Sequence, residues 1–260
     1  MSRLPPLPLP PARGARTARF IASLAVMVMV VGIASRHLDF ISSASMYGAV
    51  GAGLLLGVLA IAVLAVTFRD IWREGRRGAG SAFGTLLLII VAFSPLIGAV
   101  AAYVAYPALD SVSTDTDDPP APPAGFSQVA LPIDLRADPD DAAALQEDAY
   151  PELTTQAADL STVEAYALAR QTVDDLGWPI RLAEEPDTET ASGRIEAEAR
   201  SLVLGTQEDV VVRIRPGDGG SRIDIRSLSR VAMPDLGENA RHVGDFIARF
   251  AEVSRRQVNN

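Results

Sequence analysis

The chain has 260 residues, 48% of them hydrophobic, and a formal charge of −9. Residues 1–110 hold nine arginines and four acids, whereas residues 111–260 hold fourteen arginines and twenty-eight acids. The acidic half argues against nucleic acid as a partner, and the absence of cysteine excludes disulfides, thiol catalysis and thiolate metal sites.

Residues 1–18 form a proline- and arginine-rich tail, and three uncharged stretches follow. Sixteen residues separate Arg19 from Arg36, twenty-nine separate Asp39 from Arg69, and thirty-two separate Arg77 from Asp110. A helix crossing a hydrocarbon core about 30 Å thick needs ~20 apolar residues. Region 19–106 therefore reads as three transmembrane helices, at about 20–35, 45–68 and 81–106. The first is short, so it requires snorkelling of its flanking arginines or a thinner bilayer. Its basic leader and Gly32-Ile33-Ala34 also resemble a cleavable signal peptide.

Orientation follows from the arginines. Arg3, Arg13, Arg16 and Arg19 lie before the first span, and Arg69, Arg73, Arg76 and Arg77 lie between the second and third. Only Arg36 lies between the first and second. The tail and second loop are thus cytoplasmic, and everything after the third span is outside. All basic residues are arginine, and alanine is abundant; this composition suggests a GC-rich bacterial source. The expected location is the bacterial inner membrane, with a periplasmic or extracellular C-terminal domain. Residues 40–68 and 78–109 carry no ionisable side chain except tyrosine, which argues against a transport pathway. Gly53 and Gly57 form a GxxxG pair, suited to close helix packing within the chain or with another protein.

Residues 107–125 are acidic and proline-rich and read as a semi-extended spacer. Residues 126–260 form the outer domain. Its first part, 126–160, lacks periodicity beyond a short helix near 140–146. Ser161 and Glu164 have capping-box spacing, and the apolar positions of 163–176 recur at helical intervals until Gly177. Strands are predicted at 193–200, about 208–215 and 222–230, with Pro216-Gly217-Asp218-Gly219-Gly220 as a hairpin turn. If Ile214 pairs with Ile223, Arg213 lies opposite Asp224. A last helix starts near Asp235, whose spacing to Glu238 fits a cap, with Ala240, Val243, Phe246, Ile247 and Phe250 on one face. The fold class is an α+β outer domain (helix, three- to four-stranded antiparallel sheet, helix) attached to an all-α three-helix transmembrane region. One sheet face is apolar; the other, a ladder of arginines and carboxylates, reads as solvated.

The run from Arg222 to Phe250, RIDIRSLSRVAMPDLGENARHVGDFIARF, resembles the C-terminal signature of the domain of unknown function 1499 family. Tyr150-Pro151, Gly177-Trp178, Ile195-Glu196-Ala197 and Glu208–Arg213 add to that resemblance, which covers about residues 149–251. Ala232 stands where the family usually has glycine, and Leu204 where an aromatic residue is usual. The resemblance implies a domain boundary and no activity.

Candidate site residues cluster in this run: Arg226, Ser227, Ser229, Arg230, Asp235, Asn239 and Arg241. Arg226, Arg230 and Arg241 could bind a carboxylate, phosphate or lipid headgroup; alternatively, Arg226 and Arg230 pair with Asp224, Asp235 or Glu238 and fix the strand-to-helix corner. Ser227 or Ser229 with His242 and Asp235 would make a hydrolase triad, but no nucleophile-elbow motif surrounds either serine. The single histidine of the outer domain reads otherwise as a surface or boundary residue. No metal site and no cofactor motif are expected. The leading expectation is a non-enzymatic, membrane-tethered module that binds a protein or envelope component through the Arg222–Arg241 corner and the charged sheet face.

Overall fold

In a computed structural model the described residues are 10–130 and 134–258. They form two compact units, one built on the N-terminal helices and one on the sheet domain.

Three helices open the chain: α1 (Ala15–His37), α2 (Ser43–Glu74) and α3 (Ala79–Ala105). Each is long and apolar enough to cross a membrane, and each expected span falls within one of them to within a residue. Alanines carry the packing, because a methyl side chain lets helix axes approach closely. Ala18 and Ala22 of α1 meet Ala60 and Leu64 of α2 and Ala82 and Ile89 of α3. Both glycines of the GxxxG pair are used here. A Cβ on Gly53 would lie 2.1 Å from Met29 Cγ, and one on Gly57 would lie 2.7 Å from Phe93.

The second unit contains a six-stranded sheet in the order β1-β6-β5-β4-β3, with β2 also paired to β6. The long strands are β4 (Gly193–Arg200), β5 (Gln207–Gly217) and β6 (Gly220–Ser229), with β3 (Ile180–Glu184) beyond β4. All pairings are antiparallel. The predicted register holds, with Ile214 opposite Ile223 and Arg213 opposite Asp224. The count of three to four strands is corrected to six. The outer edge of β6 carries two short strands in tandem, β1 (Ser111–Ser113) against Arg226–Leu228 and β2 (Gln156–Ala158) against Ser221–Ile223. Three residues are too few to show an alternation, so neither strand was visible as a pattern.

Helix α4 (Pro139–Ala149) is longer than expected because Asp138 caps it and Pro139 occupies its first turn. Helix α5 (Thr162–Asp175) opens with a complete capping box, Ser161 with Glu164, and Gly177 closes it in a left-handed conformation, φ 69°. Helix α6 (Glu238–Val258) starts three residues after Asp235. Its Val243, Phe246 and Phe250 pack with Tyr166 and Val173 of α5 onto Ile195, Val212 and Ile225 of the sheet. This is the core on the expected face.

The opposite face departs from expectation. Asp224 is fully buried, and Glu196, Glu198 and Asp209 are each under 9% exposed, so the ladder is not a solvated face. Chain read as a spacer covers part of it. Residues 111–113 are a strand, and Asp115 and Asp118 supply carboxylates to the ladder. The folded sheet unit therefore begins before residue 126.

Candidate functional site

The signature run folds as β6, a tight corner and α6, so its alternation sends neighbouring residues to opposite sheet faces. Ser227 and Ser229 point toward α6; Arg226 and Arg230 lie on the ladder face.

Under α6 the expected residues converge on Asn239, which is fully buried. Its side-chain amide donates to Ser229 Oγ (3.0 Å) and to the carbonyl of Asp110 (3.0 Å), and its Oδ1 accepts from the Ser227 hydroxyl at 2.6 Å. Its backbone N–H donates to the Asp235 carboxylate at 2.7 Å. The corner is tight because Leu236 and Gly237 both take left-handed conformations, φ 58° and 86°. This lets the Asp235 carboxylate also accept from Gly237 N at 3.1 Å. Burial pushes Asp235 up to about 6, against these two hydrogen bonds.

His242 completes the cluster and is buried, not a surface or boundary residue. Its Nδ1 lies 3.4 Å from Ser227 Oγ, and its Nε2 lies 3.1 Å from the Arg200 carbonyl. Its ring meets Trp178 edge-on at 5.9 Å. Burial lowers its pKa and keeps the ring neutral. A triad would need Asp235 on the outer nitrogen of that ring. The Arg200 carbonyl holds that place, Asp235 caps α6, and both serine hydroxyls lie buried against Asn239. Ser227 and His242 are brought together, but not in a hydrolytic arrangement.

Sequence reasoning missed Glu208, which faces the same layer opposite Ser229. It is 5% exposed, its Oε1 accepts from Thr206 Oγ1 (2.8 Å), and its Oε2 has no partner among the described residues. Burial raises its pKa to about 8 despite that hydrogen bond, helped by the charges of Glu238 and Asp235. Glu208 is therefore held protonated at neutral pH.

On the ladder face Arg230 makes a forked contact with Asp209 (2.9 and 2.6 Å) and reaches Glu198. Its partners are these two acids, not Asp224, Asp235 or Glu238. Asp224 instead takes Arg213 (3.0 Å) and Arg215 (2.7 Å). Burial raises Glu198, but hydrogen bonds from Arg181 and Arg230 outweigh it and hold the carboxyl below its usual range. Arg241 pairs with Glu238 (2.6 Å) and Asp245 (2.9 Å).

Arg226 differs from these. Its Nε donates to Ser111 Oγ (2.9 Å) and its Nη1 to the Pro120 carbonyl (3.2 Å), and it makes no ion pair among the described residues. Burial lowers its pKa, with Asp110 opposing. It lines a cavity of about 360 Å³ together with Asp110, Thr116, Arg136 and Gln146. Arg136 is already held by Asp110 (2.7 Å) and Asp134 (2.7 Å). Gln146 accepts from Ser113 N (2.9 Å) and donates to Ser113 O (2.6 Å), so its amide stands in for a further strand beside β1. Among the described residues no group of histidines and carboxylates is placed to hold a metal.

The model of the family described as "Protein of unknown function (DUF1499)" matches residues 112–250, just over half the chain. The chain belongs to this family. The DUF1499 match starts inside β1, in agreement with a fold that takes in the former spacer, and ends on Phe250 of the α6 core face. Comparisons with curated proteins and with solved structures find no match.

Proposed function

We propose that this protein is an inner-membrane protein with a cytoplasmic N-terminal tail, and that its outer DUF1499 domain is a non-enzymatic binding module. The module takes an acidic group, carboxylate or phosphate, of a protein or other envelope component. The observation that carries this reading is Arg226, a half-buried guanidinium with no carboxylate partner among the described residues, on the wall of an open cavity. A desolvated cation with no ion pair among the described residues favours an anion that can reach it. The other corner arginines, Arg230 and Arg241, are occupied by the chain's own acids. The buried Ser227, Ser229, Asn239 and His242 serve the corner's shape.

Crosslinking and affinity capture from native membranes tests the reading with Arg226→Gln beside Arg222→Gln. Arg222 is exposed on the same strand face and does not line the cavity. We expect a captured partner to be lost with Arg226→Gln, whose unfolding midpoint stays that of wild type, and kept with Arg222→Gln. Equal capture by all three chains would overturn the assignment. The orientation is checked with Asp218→Cys in the exposed β5–β6 turn of this cysteine-free chain: an impermeant maleimide should label it from outside.

A further inference from the structure

The helical unit has its own unneutralised charge, where the first turns of α1 and α3 come together. Hydrogen bonds join the chain there. Ala12 N donates to Arg77 O (2.8 Å), Arg77 N to Pro10 O (3.0 Å), and the Ser81 hydroxyl to Ala15 O (3.3 Å). They frame a cavity of about 520 Å³ lined by Arg16, Arg19, Phe20, Ser23, Arg77 and Ser81.

Every charged group on that wall is cationic. None of Arg16, Arg19 and Arg77 has an ion pair among the described residues. The carboxylates of the neighbouring chain are engaged elsewhere: Asp70 accepts from Arg13 N at 3.2 Å, and Glu74 pairs with Arg76 at 2.7 Å. The first turns of α1 and α3 hold no acid, and Gly14 gives α1 no side-chain cap. The N-terminal ends of two long helices, α1 without a side-chain cap, thus lie with the positive ends of their dipoles beside three guanidiniums. Phe20, 69% exposed, stands at the edge where the apolar outer surface of α1 begins, continued by Met27 and Val31.

We propose that this cavity holds the phosphate of an anionic phospholipid, with Arg16, Arg19 and Arg77 as its cationic ligands. A phosphodiester brings one negative charge and two free oxygens within reach of the three guanidiniums, and its acyl chains continue along α1 past Phe20, which free phosphate cannot do. The arginines would lie at the inner leaflet, whose anionic headgroups attract basic residues beside a span. The proposal rests on the reading that the three helices span the membrane with the tail inside, and not on the outer domain's ligand.

The test is native mass spectrometry of the full chain released from detergent micelles doped with phosphatidylglycerol or phosphatidylcholine. Wild type should retain phosphatidylglycerol about tenfold over phosphatidylcholine, a difference of about 1.4 kcal/mol. Arg16→Gln/Arg19→Gln/Arg77→Gln should lose that preference, and Arg77→Gln alone should reduce it. Arg69→Gln/Arg73→Gln, with two charges removed from α2 outside the cavity, should keep it. Equal loss in the α2 variant would show diffuse charge attraction and overturn the site. Displacement of the lipid by millimolar inorganic phosphate would overturn a lipid occupant in favour of a free anion. Labelling at Asp218→Cys in each variant separates these outcomes from an inverted chain, which would defeat the orientation instead.

Discussion

Glu208 and Asn239 show how a buried polar group can be either a liability or a joint. Glu208 keeps its proton in the fold up to about pH 8, while the unfolded chain releases it near the ordinary carboxylate value. Between those limits the folded state binds more protons, so stability falls as pH rises. His242 opposes this only below about 6.5, where the unfolded ring takes up a proton that the buried ring resists. From pH 7 to 8 the slope belongs to Glu208. Urea unfolding of the detergent-solubilised chain, followed by Trp178 fluorescence in a Trp72→Phe background, should show a loss of about 1 kcal/mol over that interval, and Glu208→Gln should abolish it. Asn239 is the opposite case, with each polar group of its side chain satisfied. Asn239→Ala would strand the Ser227 and Ser229 hydroxyls and the Asp110 carbonyl, and should cost about 2–4 kcal/mol in the same assay. A loss below about 0.5 kcal/mol would mean that the corner does not depend on this hub.

At the scale of elements, the ones that could be read from the chain are those that carry their own signal. Helix α5 announces itself through Ser161, Glu164 and Gly177, and α6 through a five-residue apolar stripe. Ser161→Ala should cost about 1 kcal/mol, measured as a lower unfolding midpoint with unchanged steepness. The strands β1 and β2 carry no signal of their own, because β6 and Gln146 supply their hydrogen bonds. The ladder was legible as a register but not as an environment. Exposed ion pairs are worth ~0.2–1 kcal/mol, yet Asp224 sits fully buried under Arg213, Arg215 and Thr155 Oγ1. Asp224→Ala should therefore destabilise by about 3–5 kcal/mol, because two arginines lose a buried counter-charge. A cost within the surface range would return the ladder to a solvated face.

For the whole molecule, three-helix packing is where glycine spacing became specific. Gly53 fits against Met29 and Ala25 of α1, so Gly53→Leu should loosen α1 from α2 and lower the detergent melting temperature of the chain by several degrees. The same change at Gly48, where a Cβ meets nothing within 4 Å, should leave it unaltered.

The amino-acid sequence by itself determined the long apolar helices, the two amphipathic helices of the sheet unit, the β5–β6 register and the family. Each of these depends on period, capping or composition over a run of residues, which a chain displays locally. Tertiary structure alone decided that residues 111–118 belong to the sheet unit, that His242 and Glu208 are buried, and that Arg226 among the corner arginines makes no ion pair among the described residues. Those outcomes depend on which distant group arrives beside a residue: Ser111 beside Arg226, the Arg200 carbonyl beside His242, Asp115 beside Arg215. Burial and counter-charge are properties of such meetings between segments far apart in the chain, and no local pattern encodes them.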